Sequence, residues 1–398
     1  MSNNLKKGAI LSLSLLLTTT FSISTAIPAM TRFYAGYSIN QVEQLVSLPS
    51  LAVMLIIMLH PLLSEVISKN VSIITGLILL FLTGIMPLFS QDYTYVFVSR
   101  MIHGVGVGLI NVYAVTIINE SFSGQERAAM LGYRGAAEIL GNIICTFIAG
   151  QILSLGVSWQ YSFLIYAASA PILLLYLLFL KSSKASGPVS GSVPDNSVGP
   201  AASGAVSEAA ASWKNYILAF IFYGLCGMVI VGINCCNTIR IPSLVIEKGL
   251  GAEAEASILS SLRMGAGFLA GISFWRFEQR LGKQLQPVFF IALGIGELAI
   301  AFSSDIFMLF IGSLIVGAAL SILTTSIFQN AAEYFPLSLS DKATTATLVG
   351  CNLGSGLASY VLYLIDCLND KMYTSFLVFG IIFLPVGVIL MIKKKRRS

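Results

Sequence analysis

Two charged side chains lie one helical turn apart inside a strongly apolar stretch. Arg134 and Glu138 are separated by four positions, so on a helix they share one face. If the stretch crosses a bilayer, each charge costs at least about 2.5–3.5 kcal/mol on insertion scales and is retained for a reason. Burial favours a neutral carboxyl and the adjacent guanidinium favours a carboxylate, so movement of Arg134 can load or release a proton on Glu138. The alternative is a fixed ion pair that joins this helix to a neighbour.

Other polar side chains are spread through other apolar stretches. Arg263 can bind an anionic group or pair with Glu297, and the sequence favours neither. Arg100 can serve as a snorkelling or helix-capping arginine. The asparagines can contact a substrate, although hydrogen bonding between helices is the commoner role. These asparagines are Asn111, Asn142, Asn234 and Asn237.

Arg240 follows Asn234 and Asn237 at a three-residue spacing, so all three lie on one stripe of a helix. Near the same predicted surface we expect charged partners that can form gating pairs. They are Arg32, Glu43 and Asp366.

Several function classes are excluded by what the sequence lacks. No nucleophile–base set, zinc-ligand spacing or Gly-Lys-Ser/Thr phosphate loop occurs in it. Only 10% of the residues are charged, against about 25% in an ordinary soluble domain, so nucleic-acid binding is not expected. We therefore predict a protein that is not an enzyme and uses neither a cofactor nor a metal.

The composition indicates an all-α membrane protein. The chain has 398 residues, of which 56% are apolar, and its mean hydropathy is +0.85. A spanning helix needs about 20 apolar residues, and we identify twelve such runs. They lie near 8–31, 42–63, 71–90, 94–118, 127–153, 158–180, 214–240, 254–275, 286–303, 305–331, 343–365 and 372–392. From a start near 127, Arg134 lies about 10 Å deep and Glu138 about 16 Å, close to the midplane.

The distribution of basic residues tests this count. With the N-terminus in the cytoplasm, 16 of the 23 Lys and Arg residues fall on the inner side, three fall outside and four fall within spans. A miscounted span would invert this bias for every later loop. The first run is too long for a signal peptide and has no small-residue cleavage site. We expect a multi-pass protein of the plasma membrane with both termini cytoplasmic.

An internal repeat divides the chain into two halves. IPAM at 27–30 and IPSL at 241–244 are 214 residues apart, and ESF at 120–122 is matched by EYF 213 residues later. A Ser/Gly/Ala/Pro-rich segment separates the halves and is typical of a flexible linker. The predicted division is 1–180 for the first six-helix half, 181–213 for the cytoplasmic linker and 214–398 for the second half.

Four short motifs resemble those of the major facilitator superfamily. PLLSEVISKN at 61–70 is similar to the loop after the second span of that family, with Glu65 at the acidic position and Lys69 at a basic one. WRFEQRLGK at 275–283 is a second copy that keeps Arg280 and Lys283 but has glutamine at the acidic position. RMIHGVG from position 100 resembles the Arg-x-x-x-Gly-x-Gly motif, and SWQYSF from position 158 resembles the start of the sixth span.

The resemblance implies two pseudo-symmetric six-helix bundles that alternately open a central cavity. It places Arg134, Glu138 and the asparagines beside that cavity, links Arg100 to coupling, and makes Glu65, Lys69, Arg280 and Lys283 a cytoplasmic gate. It implies a monomeric secondary transporter in contact with membrane lipid, protons and a small-molecule substrate. We expect proton-coupled efflux of a small organic compound. The alternative is proton-coupled uptake of a small anionic solute, favoured by the intramembrane arginines and by the absence of the Gly-Pro step of drug–proton antiporters from 132–141.

Overall fold

The computed structural model describes residues 3–179 and 202–395, and the chain is helical almost throughout these ranges. Residues 180–201, most of the predicted linker, lie outside the described residues. The helices of the first half are α1 Asn3–Ser14, α2 Ile27–Phe33, α3 Ile39–Ser47, α4 Pro49–Val66, α5 Lys69–Phe89, α6 Tyr93–Ser121, α7 Gly124–Ser154 and α8 Ser169–Phe179. Those of the second half are α9 Ala202–Glu247, α10 Glu253–Ile272, α11 Phe274–Leu281, α12 Leu285–Ala301, α13 Ile306–Tyr334, α14 Leu337–Asp366 and α15 Tyr373–Lys395. Helix α9 begins within the range predicted as linker, and the three-part division of the chain stays a prediction.

Local sequence explains where the helices begin. Ser38 caps α3 in a capping box, in which its side chain accepts from the Gln41 amide and Gln41 returns a bond to the Ser38 amide. Asp92 caps α6 through the Tyr95 amide at 3.0 Å, and Asp305 caps α13 in the same way. These polar caps mark three helix starts on the same side of the molecule.

The first spanning segment is broken. Helix α1 ends at Ser14, and a 3-10 helix at Thr19–Ala26 leads into α2. The segment Thr19–Phe33 is bent by 49° from Lys7–Ser14. Hydroxyl side chains crowd this segment and bond to the preceding turn, as when Thr19 donates to the Leu16 carbonyl at 2.8 Å. Such local bonds compete with regular helix geometry. The break therefore follows from the run of serine and threonine residues.

Ten helices of the described chain are long and apolar enough to cross a membrane, or eleven if the broken first segment is one span. Helix α10 has 20 residues but is absent from that set. It carries Arg263 at its centre and two glutamates in its first turn, which lower its hydropathy. The predicted all-helical architecture is confirmed, whereas the count of twelve spans is not established by length and composition alone.

The two ends of the molecule differ. We call the end where α8 stops and α9 starts the linker end, and the other the distal end. At the linker end Lys7 pairs with Glu126 at 2.7 Å, which joins helices of one half. At the distal end Arg32 of the first half reaches Glu253 of the second at 2.6 Å. The halves are thus bound together by an ion pair at the distal end.

Helix contacts also join the halves along their distal parts. Helix α7 packs on α10, where Gly150 lies against Ser257 and Ser261 donates to the Ile143 carbonyl at 3.3 Å. Helices α3 and α4 pack on α14, where Gly356 lies against Leu51. A rise of 1.5 Å per residue puts Ile143 and Leu51 about 16–18 Å from the distal ends of their segments, close to mid-helix. These contacts therefore extend from the distal end to the middle of the bilayer.

Candidate functional site

A half-buried ion pair occupies the middle of α7. The Arg134 guanidinium lies 2.7 Å from a Glu138 carboxylate oxygen and also donates to the Asn111 amide oxygen of α6 at 3.0 Å. About 17% of the Arg134 side chain and 19% of the Glu138 side chain are exposed. The sequence prediction that these two residues form a pair is confirmed geometrically, and Asn111 is brought into the same cluster.

The direction that this pair faces follows from its neighbours on α7. Gly141 lies against the Leu15 backbone, whereas Ile143 and Gly150 contact α10 of the other half. With 3.6 residues per turn, the side chain of Glu138 lies on the helix surface between the contact with Leu15 and the contact with α10. The opposite arc, with Leu140 and its helical neighbours, is exposed as a lipid-facing surface would be. The pair therefore faces the space between the halves, on the linker side of the deepest α7–α10 contact.

Further polar groups line the same side of α7. The Thr18 hydroxyl donates to the Glu138 carbonyl at 2.9 Å, so the broken first segment holds the backbone of α7 at this point. One turn further on, Asn142 accepts from Ser22 at 2.8 Å and from Thr146 at 3.5 Å. Asn142 thus joins helices, as interhelical asparagines usually do, and its amide oxygen is already used. Sequence analysis missed Thr18 and Ser22, since serine and threonine are frequent throughout that segment.

Arg100 is fully buried and bound to backbone. It donates to the Leu45 carbonyl of α3 and the Thr20 carbonyl of the 3-10 segment, both at 2.7 Å, and to the Tyr166 hydroxyl at 3.2 Å. Its guanidinium also lies 5.5 Å from the centre of the Tyr166 ring. Only 1% of the residue is exposed. Arg100 therefore joins three segments of the first half, and these contacts do not reach the Arg134–Glu138 pair.

Arg263 is likewise buried, at 2% exposure, but in the second half. It donates to the Asn234 side-chain oxygen at 2.7 Å and to the Thr238 hydroxyl at 2.5 Å, both on α9. Two options were open for Arg263, an anionic ligand or pairing with Glu297. The second is absent, because no ion pair joins the two residues in the described part of the chain. Asn234 is occupied as the acceptor for this arginine.

Glu297 has an unusual environment. It is fully buried on α12, and one oxygen accepts from the Asn237 amide at 2.6 Å. Its second oxygen and the Asn237 side-chain oxygen have no hydrogen-bond partner within the described ranges. Asn237 therefore anchors α9 to α12 through a buried carboxyl group. This use of Asn237 was not predicted, since the two residues are 60 positions apart.

Arg240, Glu43 and Asp366 form a buried cluster at the distal end, which we call the distal ion cluster. Arg240 Nε lies 2.7 Å from Glu43 of the other half, and its Nη2 lies 2.5 Å from Asp366. Arg240 and Glu43 are at most 1% exposed. The hydroxyls of Ser47 and Ser359 meet 2.8 Å apart across the same boundary. The pairing expected of these charged residues near the surface is therefore present.

Three of the four residues predicted as a gate at the linker end, Glu65, Lys69 and Arg280, form no ion pair or hydrogen bond with one another in the described part of the chain. Lys69 pairs with Glu120 inside the first half. Glu65 and Arg280 are exposed, and neither has an ion pair with any described residue. Lys283 lies just beyond α11, on the turn at Gly282, which has a positive φ of 47°. The structure therefore shows these residues on the surface of their own halves.

These features define a class of protein: an all-helical, multi-pass membrane protein with a polar pair between two helical units. Residues 9–296 match the profile of the Major Facilitator Superfamily, so the chain belongs to that family of transporters, which are not enzymes. The resemblance recognised in the short motifs is confirmed. A membrane-embedded protein of this kind meets lipid and a small-molecule substrate.

Several known proteins are similar to this chain. The multidrug transporter protein MdtP of Bacillus subtilis (strain 168) is 24% identical over 118 residues, which cover 30% of this chain and 21% of that protein. The match thus spans about a fifth of the length of that relative. The inward-open structure of the xylose transporter XylE from E. coli has a TM-score of 0.71 at 16% identity, covering 98% of this chain and 95% of the other. The crystal structure of a peptide transporter in complex with sulfate has a TM-score of 0.77 at 13% identity, and the match covers 98% of this chain and 94% of the other. At such identities the structures show the shared fold alone.

Proposed function

We propose that this chain is a secondary active transporter that works by alternating access and couples proton movement to the efflux of a small organic compound. The Arg134–Glu138 pair carries the proposal, because it is a partly exposed charge pair near mid-membrane in the space between the halves. Charged groups at that depth are costly and mark ion or substrate pathways. Glu138 is the proton carrier, and Arg134 sets whether its carboxyl is charged.

The conformation fits one half of a transport cycle. Ion pairs hold the distal ends together. At the linker end, Lys69 pairs inside the first half, and neither Glu65 nor Arg280 has an ion pair with another described residue. If the linker end is cytoplasmic, as the basic residues indicate, the molecule is inward-facing. Helix α10 then supplies the one span that is missing from a count of twelve. Its Arg263 is buried against α9 and is not exposed to lipid. Twelve spans place both termini in the cytoplasm and the distal end outside the cell.

Two observations favour efflux over anion uptake. Arg100 and Arg263 are buried and donate to protein groups, although Nε of Arg263 has no partner in the described part of the chain. Arg134 is the most exposed of the three arginines and is therefore the best placed to meet a ligand. An anionic solute therefore has fewer cationic contacts than the sequence suggested. The name of the Bacillus subtilis relative, a multidrug transporter, favours a drug-like organic substrate. Uptake of an anion by proton symport remains the second candidate, carried by Arg134 alone.

The test uses proteoliposomes with an imposed pH gradient and a trapped pH-sensitive dye. A panel of lipophilic cationic dyes and monocarboxylates is added, and proton flux is recorded together with movement of each compound. We expect Glu138→Gln to abolish gradient-driven movement while equilibrium exchange persists. Glu126→Gln, on the exposed ion pair at the start of α7, is the matched control and should behave like the unchanged protein.

Gradient-driven transport of normal rate in Glu138→Gln would remove Glu138 from the mechanism. The direction follows from the same records. Movement of the compound against the proton flux supports efflux, and movement with it supports symport. Transport of monocarboxylates but of no cationic dye would replace the efflux proposal by the anion alternative.

A further inference from the structure

The distal ion cluster contains more acid than base. One guanidinium, that of Arg240, serves two carboxylates, those of Glu43 and Asp366. Its third nitrogen points to the Met372 sulfur at 3.1 Å and adds no charge. Asp366 also has a buried oxygen, Oδ1, without a hydrogen-bond donor in the described part of the chain. With every group ionised, the cluster would hold one uncompensated negative charge in a largely buried site.

No neighbouring cation balances that charge. The titratable and charged groups on the elements packed around the cluster include Cys236 and Glu247 on α9, Lys248 just after it, Arg263 on α10, Glu297 on α12, Arg100 and Tyr93 on α6, Tyr360 on α14, Arg32 on α2 and Lys371 before α15. Lys248 donates to the Ala301 and Ser303 carbonyls, and Arg263 donates to Asn234 and Thr238. The guanidinium of Arg100 is bound to backbone carbonyls, and that of Arg32 pairs with Glu253. Lys371 is exposed to water, where its field is screened.

We propose that the closed distal end binds one proton, shared between Glu43 and Asp366, and that the proton leaves when the halves separate there. A buried, uncompensated carboxylate is costly, and protonation removes the cost. The Oδ1 of Asp366 has no donor in the described part of the chain and therefore offers a place for the hydrogen. This inference rests on the proposed alternating access, since it requires the distal end to open.

The chain connectivity determines which acid releases the proton. Glu43 belongs to the first half, whereas Arg240 and Asp366 belong to the second. Separation of the halves leaves a balanced Arg240–Asp366 pair and moves Glu43 into water, where an ordinary glutamate is ionised at neutral pH. The closed state therefore carries one more proton than the open state. Closure is favoured at low pH, and one linked proton changes the open-to-closed ratio by up to tenfold per pH unit.

This proton is distinct from the one assigned to Glu138. It enters and leaves through the distal aqueous phase, because Glu43 meets that phase whenever the cluster opens. Its role is to couple closure of the distal end to the pH outside that end. Neutralising Glu43 should therefore change the conformational equilibrium, whereas neutralising Glu138 should change the energetic coupling of transport.

The experiment measures the opening directly by distances between two nitroxide labels in full-length protein in lipid nanodiscs. Suitable label sites are Gly36→Cys of the first half, where a side chain meets no atom within 4 Å, and Leu368→Cys of the second, which is 76% exposed. The exposed Cys367 and the half-buried Cys226 are replaced by serine. Distance distributions between pH 5 and 8 give the open-to-closed ratio at each pH.

We expect the open fraction to rise with pH, with a slope of up to tenfold per unit. Glu43→Gln and Asp366→Asn each remove the surplus charge, so both should abolish the slope and stay closed at high pH. Glu253→Gln is the matched control, because it breaks the other ion pair between the halves without touching the cluster. It should raise the open fraction at every pH and keep the slope.

Three results would overturn the inference, and a fourth would support it. The proton site is contradicted if the open fraction depends on pH as steeply in both Glu43→Gln and Asp366→Asn as in the unchanged protein. It is also contradicted if the open fraction of the unchanged protein and of Glu253→Gln does not depend on pH. A single closed population in all variants at every pH contradicts alternating access itself. Loss of coupled transport in Glu138→Gln with a normal pH slope leaves both proposals standing, because the two sites are then shown to act separately.

Discussion

Replacing Arg100 by methionine tests whether this arginine is part of the scaffold or of the coupling machinery. Methionine keeps the length of the side chain but removes three donated hydrogen bonds. The Tyr166 hydroxyl keeps a partner, because it donates to the Thr19 carbonyl at 3.1 Å. The carbonyls of Leu45 and Thr20 lose their donor from Arg100. The substitution therefore leaves two buried acceptors without that partner.

The magnitude follows from those two acceptors. A buried polar group left without a partner costs about 1–3 kcal/mol. Removal of the buried guanidinium offsets part of this free-energy cost, because a charged group no longer has to be desolvated. We expect a net loss of about 2–4 kcal/mol in the free energy of unfolding. At about 2–4 °C per kcal/mol, the apparent melting temperature should fall by about 5–15 °C.

The assay is thermal inactivation in detergent, followed by the fraction that remains monodisperse on size-exclusion chromatography. Unfolding of a membrane protein is commonly irreversible, so variants are compared at one heating rate. Arg127→Met, at an exposed arginine near the start of α7, is the matched control and should shift the midpoint little. A normal midpoint for Arg100→Met combined with lost gradient-driven transport would refute the scaffold role and restore a coupling role for Arg100.

Three further predictions follow from contacts in the two halves. Glu297→Gln should keep the melting midpoint within about 2 °C of the unchanged protein, because a neutral amide can accept the same hydrogen bond; a fall of about 10 °C would show that a charge is needed there. Oxidation of a Ser47→Cys, Ser359→Cys pair should form a disulfide that stops transport, with recovery on reduction, because the native hydroxyls lie 2.8 Å apart across the halves. Gly354→Ala should be destabilising, because its new methyl group would lie 2.1 Å from a backbone oxygen of α9, whereas Gly265→Ala meets no atom within 4 Å and should be neutral or stabilising. Equal midpoints for the two alanine variants would contradict the close packing of α9 on α14.

The sequence predicts helices well because apolar runs of about 20 residues have few other folded forms in a membrane. The Arg134–Glu138 contact was predictable since it lies within one helix and depends only on spacing. Helix α10 is the exception, because Arg263 lowers its hydropathy although this side chain is buried against α9 and does not meet lipid. Composition alone cannot distinguish a polar residue that faces a helix from one that faces water.

The partners of the other arginines were not predictable for a different reason. Arg100 uses backbone carbonyls, which every residue has, and its acceptors lie 55 and 80 positions away in sequence. Arg263 uses an asparagine and a threonine that the sequence does not distinguish from their neighbours. A single sequence gives the position of a buried charge along its own helix, but the tertiary packing decides what it contacts.

The four intramembrane arginines fall into two groups according to their bonding partners. Arg100 and Arg263 are each bound within one half, and their partners carry no formal charge. Arg240 is paired across the halves and shared by two acids, whereas Arg134 is paired within its own helix and remains partly exposed. Under the proposed alternating access, rocking of the halves would preserve the contacts of Arg100 and Arg263 and would change the surroundings of Arg240 and Arg134. A residue with the same partners in both states cannot contribute differential free energy to the transition. The energetics of transport should therefore depend on Arg134, Arg240 and the carboxylates beside them, while Arg100 and Arg263 set the rigidity of the units that move.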